Sequence, residues 1–163
     1  MTTPKAHVHA IKRPKTESVA SVLERETAST IQNWFELVEQ DAELTCVPLN
    51  RAARTRHLAK LFQDLILRLR LDSRLPALIS LAARDHGRVR RQQGYTAPML
   101  VEESRFLEVS IFSTLQRNVR HVDRRQVLLD VVTIADECDS QLEQAMLSYG
   151  PPTADSDTSA HRY

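Results

Sequence analysis

The stretch from His86 to Glu108, HGRVRRQQGYTAPMLVEESRFLE, constrains the fold more than any other part of the chain. Gly94 follows an apolar-periodic segment, and a residue without a β-carbon can take the left-handed conformation that closes a helix. Thr96 then offers a hydroxyl to cap a second helix. Pro98 falls in that helix's first turn, where the missing amide had no partner to lose. One helix ends and another begins within a few residues, so the spacing predicts a tight helical hinge with Gly87 and Gly94 as its glycines.

Composition points to one helical domain. A chain of 163 residues that is 42% hydrophobic can bury a single core. With 3 Gly and 5% aromatics beside abundant Leu, Ala, Arg, Glu and Gln, helix is favoured over sheet. Five helical patterns are predicted. The first, roughly 18 to 40, carries Val19, Val22, Leu23, Ile31, Trp34, Phe35 and Val38. Pro48 breaks the next connection and Asn50 caps a second helix, with Leu58, Leu61, Phe62, Leu65 and Leu69 on one face and an end near Asp72. Ser73 and Pro76 start a third, striped by Leu78, Ile79, Ala82, His86 and Val89. The fourth runs from about 97 to 120 through Leu100, Leu107, Ile111 and Leu115. Asp123 caps the fifth, whose stripe is Leu128, Val131, Ala135, Cys138, Leu142 and Met146, and Gly150 stops it. No strand pattern competes. The expectation is an all-α domain over residues 17–150, a five-helix bundle or a globin-like stack. Residues 1–16, basic and broken by Pro4 and Pro14, and residues 151–163, opening on Pro151 and Pro152, are expected to be disordered tails.

Several function classes are disfavoured. Cys46 and Cys138 fit no CxxC or zinc spacing and are expected to be buried small apolar residues. His7 and His9 form a pair without further ligands, too few for a metal tail. A Gly-rich phosphate loop, a metal pair and a nucleophile elbow are all missing from the pattern, so neither catalysis nor a metal or other cofactor is expected. No apolar run approaches about 18 residues, and the first residues lack the hydrophobic middle of a signal peptide; a cytoplasmic protein without a membrane partner is expected. Charge is segregated although the net is +1. Residues 51–91 hold ten Arg and one Lys against Asp64, Asp72 and Asp85, whereas 17–50 set seven acids against Arg25 alone, and 92–149 set nine acids against five Arg. Such blocks pair helix with helix, or copy with copy. The flanking acids weigh against a nucleic-acid surface, which stands as a third reading of the chain.

His86 shares a register with Ala82 and Val89 and so faces the apolar side. Arg90 lies one turn on, and Gln93 nearly completes the face. Because the hinge folds the next helix back, Glu103 is expected to approach His86 and Arg90. A buried imidazole needs a partner, and guanidinium and carboxylate satisfy each other. Such a cluster has two uses, a polar brace between helices or a sensing site for a small anion or a proton. Haem ligation by His86 or His121 is a further alternative, for which the fourth helix supplies no distal histidine.

The same residues carry a resemblance. A His-Gly pair, an Arg three residues after the Gly, Gln-Gly-aromatic, and a Glu and an Arg on the following helix stand here as His86, Gly87, Arg90, Gln93, Gly94, Tyr95, Glu103 and Arg105, while Ser104 and Glu108 depart from the pattern. Over Ser18 to Tyr149 the chain resembles the RsbRD N-terminal domain family, named for the RsbT co-antagonists of bacterial stress signalling and also found at the front of sensor histidine kinases. The resemblance implies a globin-like, haem-free sensor fold, a homodimer, and a sensing or structural cluster of His86, Arg90, Gln93, Tyr95, Glu103 and Arg105. The kinase core and sulfate-transporter-like output domain of relatives are not seen in the sequence. The expected function is therefore a non-catalytic bacterial signalling domain that acts on a partner such as a kinase or stressosome component. A globin-like small-ligand or haem-binding sensor is the alternative.

Overall fold

The computed structural model describes residues 16–71, 75–123 and 125–150; apart from Thr16, the expected tails, with His7 and His9, lie outside the described residues, as do Asp72 and Ser73. Every regular element among the described residues is helical: α1 Val19–Arg25, α2 Thr27–Gln40, α3 Ala42–Thr45, α4 Arg51–Thr55, α5 Leu58–Arg70, α6 Leu81–Gln92, α7 Ala97–Asn118 and α8 Val127–Tyr149. Starts follow capping side chains: Ser18, Asp41, Asn50, Ser80 and Thr96 each accept from the amide three residues on. Trp34, Leu23, Leu44, Phe62, Leu58, Ile111 and Ile134 fill the core. The long α7 packs on α1 and α2 and on α8, and α6 lies along α8.

Three expectations are corrected. The first helix is broken at Glu26, because the Thr27 hydroxyl donates to Leu23 O at 2.8 Å and the Thr30 hydroxyl to Glu26 O at 2.9 Å, back-bonds that bend a helix. The second is broken between Thr55 and Leu58, which leaves His57 at the junction. The third starts at Leu81 rather than Pro76; proline disfavours a helical residue before it, and Ser80 supplies the better cap.

The late start of α6 decides how α8 is turned. Residues 75–80 precede α6, and α8 pairs several of their backbone groups. Leu78 N donates to Glu137 Oε2 (3.3 Å), Ser80 N donates to Gln144 Oε1 (2.7 Å), and Gln144 Nε2 donates to Leu78 O (2.8 Å). Gln141 Nε2 likewise donates to Leu61 O at 3.2 Å. Glu137, Gln141 and Gln144 therefore face inward. Of the expected α8 stripe, Cys138 is buried, but Leu128 is turned outward. Asp123 organises the turn before α8, its carboxylate accepting from Arg125 N at 3.0 Å.

The two expected hinge glycines have different jobs. Gly94 has φ +87° and stands just past α6, as expected. Gly87 lies inside α6, not at the turn. A β-carbon there would sit 1.9 Å from Ala145 O, so Gly87 is what lets α6 approach the backbone of α8.

Candidate functional site: a buried histidine, arginine and glutamate cluster

The hinge aims the site. Gly94 N–H donates to Arg91 O at 3.0 Å and Tyr95 N–H to Arg90 O at 3.0 Å, the paired closure that a left-handed residue permits. This turns the Tyr95 ring onto Arg90, whose guanidinium lies 4.7 Å from the ring centroid. Beyond the Thr96 cap, α7 runs back along α6 and brings Glu103 to face it.

Arg90 is the centre of the cluster. Its Nε donates to Glu103 Oε2 at 2.9 Å, its Nη1 to Gln93 Oε1 at 2.8 Å, and its Nη2 to Arg54 O at 2.7 Å. His86 Nε2 is 3.4 Å from the same Glu103 oxygen. Arg90 and Glu103 are both buried, so each would be costly alone. Arg54 forms the outer part: Nη1 donates to the Tyr95 hydroxyl at 2.9 Å, Nη2 donates to Val47 O at 2.9 Å, and the Glu39 carboxylate stands 3.8 Å from its Nε. Trp34 Nε1 donates to Glu103 O at 3.0 Å. His57 stacks on His86 with centroids 3.7 Å apart and planes at 15°, and Trp34 meets His57 edge-on at 6.0 Å. Glu103 Oε1 is buried and has no hydrogen-bond partner.

Burial sets the protonation states. It lowers the His86 imidazole from 6.5 to about 3, with the Arg90 charge adding to the effect. His57 is also held well below its ordinary value, by burial first and then by His86, Arg90 and Arg56. Burial raises Glu103, against the charge and hydrogen bond of Arg90, which pull the other way. The Tyr95 hydroxyl is pushed up by burial and then by the Glu103 charge.

Two spaces meet at the histidines. On one side is a cavity of about 30 Å³, bordered by Trp34, His57, His86, Glu103 and Cys138, which is large enough for a water or a single ion but far too small for a porphyrin. On the other is a groove of about 860 Å³ between α5 and α6, with Arg56 and Lys60, Asp64 and Asp85, and the apolar Ile79 and Leu81 along it.

The structure brings His86, Arg90, Gln93, Tyr95 and Glu103 together and leaves Arg105 out. Arg105 is exposed, donates to Glu102 through Nε at 2.9 Å and lies over the Phe106 ring. Two residues along a helix rotate a side chain by about 200°, so Arg105 points away from the face that Glu103 occupies. Cys46 is exposed at the end of α3, contrary to expectation, while Cys138 is buried and its thiol pushed up to about 12. Sequence reasoning missed His57 and Arg54 as site residues. Nothing in RAARTRH distinguishes buried Arg54 from exposed Arg51 and Arg56, because the break after α4 sets which of them turns inward. No family model, curated protein or solved structure matches this chain.

Proposed function

We propose that the chain is a non-catalytic helical signalling domain that pairs as a homodimer and modulates a partner protein of the bacterial stress or two-component type, such as a kinase or a stressosome component. In this reading the helices form the haem-free, globin-like sensor fold that the RsbRD resemblance implies, working in the cytoplasm. The observation that carries it is the apolar outer face of α8. Leu128, Leu129, Val132 and Leu147 are 70%, 57%, 62% and 72% exposed while polar side chains of the same helix are buried. Apolar surface left in water costs about 25 cal/mol per Å², and a helix face of this kind is covered most simply by its own copy across a two-fold axis.

The same helix borders the site. Cys138, Gln141 and Ala145 of α8 line the small cavity, and Gly87, next to His86, seats α6 on Ala145. A rearrangement at His86 and Arg90 therefore presses on α8 through close-packed backbone, and α8 carries it to the outer face. Light scattering on the full chain tests the pairing. A dimer is expected at tens of micromolar, and Leu128→Glu with Val132→Glu should give a monomer of unchanged helicity. A wild-type chain that stays monomeric up to about 100 μM, or a dimer indifferent to both substitutions, overturns the reading.

A further inference from the structure

We propose that His57, His86 and Glu103 bind a single divalent transition-metal ion, with zinc the best match to the donor set, in the small cavity at the foot of the α5–α6 groove. This goes beyond the signalling reading and does not rest on it.

One ligand atom from each of the three residues lies within 4.8 Å of the other two, although they come from the start of α5, from α6 and from α7. The three side chains border a cavity of about 30 Å³, the volume of one ion or water. Glu103 Oε1 is the second, independent observation. It belongs to a side chain 2% exposed, has no hydrogen-bond partner, and sits on a residue that borders the cavity. An unpaired buried carboxylate oxygen is costly, and a cation removes that cost.

The donor set suits the ion. Two imidazoles and one carboxylate match zinc with three protein ligands and one open position, which water from the groove can fill. Arg90 engages only Oε2, so it fixes the orientation of the carboxylate while leaving Oε1 free, the outer support that metal ligands generally have. Its positive charge works against the ion, which makes this a site of moderate affinity. Ligand nitrogens about 2.0–2.1 Å from zinc must point at one centre, whereas the His57 and His86 rings lie stacked with planes at 15°, so binding requires one ring to turn.

The test is calorimetric titration of the chelator-treated full chain with zinc chloride, paired with cobalt(II) absorption as a report on ligand geometry. One ion per chain is expected, with micromolar affinity and a rise in Tm. His57→Gln, His86→Gln and Glu103→Gln should each weaken binding by about tenfold or more, while His121→Gln and the pair His7→Gln and His9→Gln should leave it unchanged. The His57 variant is the one least expected to perturb folding, and circular dichroism checks each variant for native helicity. The proposal is overturned by a dissociation constant weaker than about 100 μM, by binding that survives His57→Gln in a folded protein, or by binding lost with the tail histidines.

Discussion

Gly87→Ala should destabilise the domain, although helix propensity alone predicts the reverse. In a helix interior alanine is favoured over glycine by about 1 kcal/mol. At this position the new β-carbon would stand 1.9 Å from Ala145 O, 2.6 Å from its carbonyl carbon and 2.9 Å from its α-carbon. All three are backbone atoms of α8, so no side chain can rotate away. To reach even a tight contact, α6 and α8 must part by about 1 Å or more, along an interface packed to crystal-like density. Overpacking typically costs about 1–3 kcal/mol, and a shift of whole helices belongs at or above the top of that range. Against the propensity gain, a net loss of about 2 kcal/mol is expected, which lowers Tm by about 6–10 °C for a domain of this size. Paired thermal and urea denaturation measures it. A Tm equal to or above wild type would refute the close approach of α6 to α8, and with it the route by which the site presses on α8.

Other predictions follow from the same geometry. Gly94→Ala should cost only about 1 kcal/mol, since its φ of +87° is strained for alanine but no atom lies within 4 Å of the added carbon, and denaturation should rank it below Gly87→Ala. Stability should fall as pH drops below 6.5, because His57 and His86 bind protons more weakly folded than unfolded, with His86 lowered to about 3. Glu103, raised by burial, acts in the opposite direction, and His86→Gln should flatten the urea-measured profile. A thiol-reactive dye should label Cys46 quickly and Cys138 only after unfolding, because Cys46 is exposed and Cys138 is buried with its thiol pushed up to about 12.

The hinge was legible in the sequence because its chemistry is local. Gly94, Thr96 and Pro98 each restrict their own backbone, and the return of α7 then brings Glu103 to Arg90 with little else required. Arg105 entered the cluster only through the family resemblance, and the helical rotation between it and Glu103 places it on the other face. His57 and Arg54 were not legible, since their orientation depends on the break between α4 and α5, which no single residue there announces. The turning of α8 was hidden for a different reason. Of the expected stripe only Leu128 is exposed, but Glu137 and Gln144 are also turned inward, because backbone groups in the segment 75–80 need partners and these side chains reach them.

The candidate site is built on Arg90 and Glu103 as coupled charges in the interior. The most direct measurement is a double-mutant cycle of Arg90→Ala and Glu103→Ala, by chemical denaturation at neutral pH. Leaving one buried charge without the other costs about 3–5 kcal/mol, so each single change should destabilise by that order. The double change should cost less than their sum by about 2 kcal/mol, well outside the 0–1 kcal/mol of exposed pairs. Additivity within about 0.5 kcal/mol would contradict the buried pair, whatever the two single values turn out to be.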